Sequence, residues 1–176
     1  MAVPPSSTLD PIQVEKVKAQ IRRDARFKNG VTWFYWIAAL SIINSIIYTA
    51  GGTITFVVGL GATQVIDGLA SGFAERLGSN WAYLKDIGLL LDVIVAAIYA
   101  LFGFLGKKHH RAPIIIGFIL YILDAGITLI CKDYFGALFH ILALVGIFGA
   151  IKVLNEERKS AIMAKITPPS IPMTQS

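Results

Sequence analysis

The distribution of charge along this chain limits its fold more than any other feature. Four long apolar stretches, separated by short charged clusters, occupy about residues 31–50, 86–105, 112–130 and 134–154. Each stretch is close to the length that an α helix needs to cross the hydrocarbon core of a bilayer, roughly 20 residues. Charged residues make up 15% of the chain, whereas soluble domains carry about 25%. The pattern therefore predicts an all-α integral membrane protein with four transmembrane helices.

The stretch at residues 54–77 is also rich in apolar residues but has a different pattern. From Ala62 onward, apolar side chains recur at steps of three and four while polar ones occupy the other side, as expected of an amphipathic helix. The glycine pairs Gly51-Gly52 and Gly59-x-Gly61 are typical of bends. The segment is compatible with a fifth span, a re-entrant segment or an interfacial helix, and the orientation of the chain has to decide among them.

Residues 1–30 are predicted to be a cytoplasmic leader that contains a basic helix. Asp10 followed by Pro11 is typical of a helix start, with an N-cap and a first-turn proline. Over residues 10–28, apolar and basic side chains then separate onto different faces. Such a helix lies on the membrane surface with its basic side towards anionic headgroups, or it is a solvated helix that leads into the first span. Asn29-Gly30 is predicted to break it before that span begins.

Lysine and arginine predict the orientation. Thirteen of the sixteen lie in residues 1–30, in the 106–111 loop and from Lys152 onward. Because cytoplasmic loops carry the excess of basic residues, both termini are predicted to be cytoplasmic in a cell membrane, with four antiparallel spans. A fifth span at 54–77 would put the basic clusters on opposite sides, so that segment is predicted to be a re-entrant or interfacial helix at the outer face. Residues 155–176 then form a cytoplasmic helical extension and a disordered tail.

One strongly polar residue lies inside each predicted span, and we call these four residues the polar layer: Asn44, Asp92, Asp124 and His140. Each is seven or eight residues from a segment boundary on the outer side, which corresponds to roughly 10–12 Å at the helical rise. Spans that alternate in direction therefore place the four side chains at one depth, in the outer half of the membrane. Each shares a helical face with small or hydroxyl-bearing residues, among them Tyr99 and Tyr121, which favours burial inside the bundle.

Three functions fit the polar layer. In the first, it is a structural layer that fixes helix register, since interhelical polar contacts in membranes are worth only about 0.6 kcal/mol on average. In the second, Asp92, Asp124 and His140 form a proton or ion relay in a small-molecule carrier, extended by the two tyrosines. In the third, the same three residues bind a metal ion in a membrane hydrolase, with Asp67 as a fourth ligand or general base. His140 is the expected partner of one aspartate, and the sequence leaves open which one.

The sequence favours the first of these functions, a small non-enzymatic multi-pass membrane protein. A hydrolase motif such as His-Glu-x-x-His is absent from the sequence, and no cofactor is implied. The expected partners are the lipid bilayer and anionic headgroups at the cytoplasmic face, and a carrier of this size would need to form a homo-oligomer. Nucleic acid is not expected, because the basic residues flank the spans as topology signals do. The single cysteine, Cys131, excludes an internal disulfide.

Overall fold

The computed structural model describes residues 10–50, 60–78 and 83–166. Within these ranges the chain contains no strand and forms five α helices: α1 (Pro11–Thr49), α2 (Gly61–Leu77), α3 (Leu84–Lys107), α4 (Arg111–Ile130) and α5 (Tyr134–Ile166). By length and composition, α1, α3, α4 and α5 are able to cross a membrane. The prediction of an all-helical protein with four apolar helices of spanning length is confirmed, and these helices indicate an integral membrane protein.

Some predicted features lie outside the described residues. These are the bend at Gly51-Gly52, the glycine at position 59, the first nine residues of the leader and the tail at residues 167–176. The amphipathic segment is helical where it is described, from Gly61 to Leu77. The charged extension after the last apolar stretch continues α5 as far as Ile166.

The helix break predicted at Asn29-Gly30 is wrong, because α1 continues through both residues. A glycine inside a helix costs about 1 kcal/mol relative to alanine, but Gly30 lies where α1 meets α5. A Cβ atom at this position would collide with the carbonyl oxygen of Gly146 and come within 2.7 Å of the Ala150 Cβ. The close packing of the two helices, which requires glycine here, offsets the cost. At the other end of the basic segment, α1 begins as predicted, with Asp10 Oδ1 accepting from the Ile12 N–H at 3.1 Å.

The core of the bundle lies along α1, which packs extensively against α3 and α5, while α4 packs against α5 and α2 against α3. Val31, Phe34 and Ile37 on α1 are fully buried at the centre of one continuous apolar cluster. The outward faces of the other long helices carry many large apolar side chains that are about half exposed, such as Leu90 and Leu142. Soluble monomers rarely expose apolar surface on this scale, whereas a lipid-facing surface requires it.

Replacement of Gly30 tests the close contact between α1 and α5. We expect Gly30→Ala to lower the free energy of unfolding by about 1–3 kcal/mol, the usual cost of overpacking, because the added methyl group has no space. Gly126→Ala in α4 is the matched control. Nothing lies within 4 Å of a Cβ atom there, so the higher helix propensity of alanine should leave stability unchanged or raise it by up to about 1 kcal/mol. Unfolding of the detergent-solubilised variants measures both; equal effects would contradict the packing argument.

Candidate functional site

All four residues of the polar layer are buried, and so is Asp67 on α2. The layer divides into two groups of contacts. One group surrounds Asp124 of α4 and includes His140 of α5. The other brings Asp67 close to Asp92 of α3. Both groups include a residue or backbone group of α2, so the amphipathic helix contacts the layer at Asp124 and at Asp92.

The Asp124 carboxylate binds the first turn of α2. Its Oδ2 accepts from the Gly61 N–H at 2.9 Å, and its Oδ1 accepts from the Ala62 N–H at 2.8 Å. The N-cap of α2 is Leu60, which has no side-chain acceptor, but the Leu60 N–H donates to Ser41 Oγ of α1 at 2.8 Å. The first N–H groups of a helix have no partner within the helix and attract negative charge. Here two other helices supply the acceptors that α2 lacks.

Glycine at position 61 makes this contact possible. A Cβ atom there would come within 2.7 Å of Thr128 Oγ1, one turn after Asp124 on α4. The Thr128 hydroxyl is itself committed, since it donates to the Asp124 carbonyl oxygen at 3.0 Å. Any larger residue at position 61 would therefore push the start of α2 away from α4 and lengthen its hydrogen bonds to the carboxylate.

His140 lies between two oxygen atoms. Its Nδ1 is 2.8 Å from the carbonyl oxygen of Gly136, and its Nε2 is 2.8 Å from Asp124 Oδ2. A carbonyl oxygen only accepts, so Nδ1 carries a hydrogen and donates it. The contact between Nε2 and Asp124 then holds one further proton, which makes the two side chains either an imidazolium–carboxylate pair or a neutral imidazole facing a carboxylic acid. The geometry therefore selects Asp124 as the partner of His140.

Tyr121 packs against this pair but does not extend it. Its ring stacks on the His140 imidazole, with centroids 4.6 Å apart and planes 15° apart. The ring of Tyr99 meets Tyr121 edge to face, with a centroid distance of 6.2 Å. The Tyr121 hydroxyl is buried and has no hydrogen-bond partner among the described residues. The predicted chain of tyrosine hydroxyls is thus not connected to His140 through this residue.

The second group places two carboxyl groups side by side. The carboxyl of Asp67 reaches towards Gly88, where its Oδ1 is 3.9 Å from the position of a Cβ atom, and Gly88 is one turn before Asp92 on α3. Asp67 is close enough to Asp92 and to Ser45 of α1 for both to influence its protonation, while burial raises the pKa of Asp67. Asp92 is completely buried, and neither of its carboxyl oxygens meets the geometry of a hydrogen bond with a described residue.

The structure thus brings His140 to Asp124 and Asp67 to Asp92, and it buries Asn44 next to Ser45 on α1. It does not assemble the predicted metal ligands Asp92, Asp124 and His140. Among the described residues, no three His, Cys, Asp or Glu side chains come together in a group that could hold a metal ion. Cys131 is exposed at the C-cap of α4 and belongs to neither group.

Sequence reasoning missed the backbone N–H groups of Gly61 and Ala62, since every residue except proline carries such a donor. One signal was present: α2 begins at Leu60-Gly61-Ala62, without the Ser, Thr, Asp or Asn that usually caps a helix. A helix start of this kind, inside a buried segment, needs an acceptor from another element. Ser41 and Ser45 were also missed as contacts of α2, because hydroxyls are common in transmembrane helices for other reasons.

Comparison of the chain with models of known protein families, with curated proteins and with solved structures found no match.

Substitution of Asp124 tests its role as acceptor. We expect Asp124→Asn to destabilise the protein by about 1–3 kcal/mol, because an amide offers one acceptor oxygen and leaves a buried donor unpaired. Asp86→Asn, at an exposed carboxylate in the first turn of α3, should stay within about 0.5 kcal/mol. The decreases in unfolding free energy caused by Asp124→Asn and His140→Gln should not add in the double variant, since the two residues share one contact. Thermal unfolding in detergent measures the wild type, the three single variants and the double variant Asp124→Asn/His140→Gln; additive losses would argue against the pair.

Proposed function

We propose that the protein is a small, non-enzymatic, multi-pass membrane protein in which the polar layer fixes α2 against a bundle of four antiparallel spans. Both termini are cytoplasmic, and α2 is a re-entrant or interfacial helix at the outer face of the cell membrane. The strong excess of lysine and arginine at the two ends of the chain and in the α3–α4 loop supports this orientation. The four helices of spanning length support the membrane setting.

The observation that carries the proposal is the set of partners around Asp124. Its carboxylate accepts from two backbone N–H groups of α2 and contacts His140 of α5. A carboxyl group far from water is costly unless hydrogen-bond partners surround it, and these partners come from two different helices. Separation of α2 from the bundle would leave Asp124 without two of its partners and the first turn of α2 without an acceptor. The contact therefore holds α2 in place.

Cysteine labelling tests whether Asp124 holds α2 and on which side of the membrane α2 lies. In a Cys131→Ser background, we expect Glu75→Cys to react with a membrane-impermeant maleimide added to intact cells, because Glu75 is exposed. Ala74→Cys should be protected, because Ala74 is buried on the adjoining face. Adding Asp124→Ala should make Ala74→Cys reactive, whereas Asp86→Ala should not.

Two outcomes would overturn parts of this proposal. If Glu75→Cys reacts only after the cells are permeabilised, the proposed orientation is wrong. If Ala74→Cys stays protected in the Asp124→Ala protein, while size-exclusion chromatography shows that the protein is folded, Asp124 does not hold α2.

A second function, a proton- or ion-coupled carrier, is favoured by the Asp67–Asp92 pair. Two adjacent buried carboxyl groups cannot both be ionised without a large repulsion, so the pair retains a proton or requires a cation. Neither carboxyl oxygen of Asp92 meets the geometry of a hydrogen bond with a described residue, while Asp67 and the Ser45 hydroxyl lie close enough to influence its protonation. Buried carboxyl groups of this kind are typical components of ion pathways. His140 is committed to Asp124, so this pair, and not the histidine, is the proposed coupling site.

Proton flux separates the two functions. In the carrier function, proteoliposomes that contain a trapped pH-sensitive dye should acidify when a potassium diffusion potential, negative inside, is applied. Asp92→Asn should abolish the flux, and the exposed-site variant Asp86→Asn should retain it. A wild-type rate no higher than that of empty liposomes would count against the carrier and leave the structural function alone.

A further inference from the structure

The bundle has a second distinctive feature at the end opposite to the polar layer, an open groove between α1 and α5. Its volume is about 740 Å³. The wall from α1 carries Arg22, Arg26 and Asn29, which recur at steps of four and three on one face of the helix. The wall from α5 carries Val145, Phe148 and Lys152 at steps of three and four.

Small residues form the floor of the groove. Gly30 and Gly149 line it, and the two helix backbones approach closely at Gly30, as described above. A Cβ atom at Gly149 would be 3.2 Å from Arg26 Cγ, so the aliphatic part of Arg26 lies directly over α5. The groove is therefore built by close helix packing and is not a gap left by loose packing.

The cations that line the groove form no ion pair with an acidic side chain in the part of the chain that the structure describes. Among the described residues, none of Arg22, Arg26 and Lys152 forms an ion pair, whereas the neighbouring Arg23 lies 3.4 Å from Glu157. The same Glu157 is also 3.4 Å from His109, which stacks on Phe27. Glu157 is thus engaged outside the groove, and no ion pair within the described residues neutralises the three positive charges that line it.

The groove is amphipathic along its length. Val145 and Phe148 are 66% and 52% exposed, and they precede Lys152 by two turns and one turn on the same face of α5. One end of the groove is therefore apolar and the other is cationic. A free phosphate ion would use only the cationic end, whereas a phospholipid has both an anionic headgroup and apolar chains. Trp33 lies in the space beside Gly146, and tryptophan is the residue type that favours the boundary between these two regions.

We propose that this groove binds an anionic phospholipid of the cytoplasmic leaflet, with the headgroup phosphate held by Arg22, Arg26 and Lys152 and an acyl chain against Val145 and Phe148. Guanidinium groups bind phosphate oxygens through paired, charge-assisted hydrogen bonds, and basic pockets between spans at the cytoplasmic side suit such headgroups. The inference rests on the membrane orientation proposed above and is independent of what the polar layer does.

Native mass spectrometry of the full-length, delipidated protein tests the site. Titration with phosphatidylglycerol should give a bound lipid at much lower concentration than titration with phosphatidylcholine of the same chains. Removal of each cation is expected to weaken phosphatidylglycerol binding about fivefold, so the single variant Lys152→Gln is already informative. The triple variant Arg22→Gln, Arg26→Gln, Lys152→Gln should lose the preference for phosphatidylglycerol over phosphatidylcholine. The charge-matched control is Arg158→Gln, Lys159→Gln, Lys165→Gln, which alters exposed cations outside the groove and should keep it.

Three outcomes would overturn the inference. Equal losses in the two triple variants would mean that net charge, not the groove, attracts the lipid. Equal binding of the two lipids would mean that the headgroup charge is not recognised. If millimolar inorganic phosphate displaces bound phosphatidylglycerol from the protein, the groove is a site for a soluble anion. None of these measurements involves Asp124 or Asp92, so failure here is distinguishable from failure of the proposed function.

Discussion

The burial of one carboxyl group links α2 to the rest of the bundle. Removing a carboxylate from water costs several kcal/mol unless charged or hydrogen-bonding partners replace the solvent. Asp124 finds these partners in the first turn of α2 and in His140. The dependence is mutual, because α2 has no cap of its own at Leu60. One side chain on α4 thereby fixes the relation of three helices, which apolar contacts alone would specify poorly in a lipid environment.

The contact between α1 and α5 depends on different physics. No charged pair crosses it at Gly30, and the closeness of the two backbones is set by small residues, with Ala150 opposite Gly30. Between helices in lipid there is little hydrophobic driving force, so van der Waals packing at such small residues is the main source of affinity. The same closeness creates the floor of the cationic groove. Small residues thus set the distance between α1 and α5 at Gly30, whereas polar groups hold the start of the shorter helix α2.

The apolar stretches predict the four long helices because their length and lack of charge leave few other folds. The break at Asn29-Gly30 could not be judged from local propensity, since the cost of glycine is decided by Gly146 and Ala150, more than a hundred residues away. The candidate site has the same limitation. Depth along a helix identifies Asp92, Asp124 and His140 as strongly polar residues at one level, but the pairing of His140 with Asp124 depends on helix rotation. The acceptor role of Asp124 towards α2 depends on backbone groups that carry no sequence signature.

The two carboxyl groups of the spans differ in what they can still bind, and this difference separates a structural role from a chemical one. Asp124 already has three hydrogen-bond partners, which leaves little capacity for a further ligand. Asp92 makes no hydrogen bond of ordinary geometry with a described residue, and its neighbour Asp67 is a second carboxyl group. Asp67 is six residues after Gly61 on α2, or about 9 Å along the helix at the usual rise. A proton or cation arriving between Asp67 and Asp92 would therefore change the charge on the same short helix whose first turn Asp124 holds. If the protein is a carrier, α2 would transmit the effect of a proton or cation bound at Asp67 and Asp92 to the rest of the bundle.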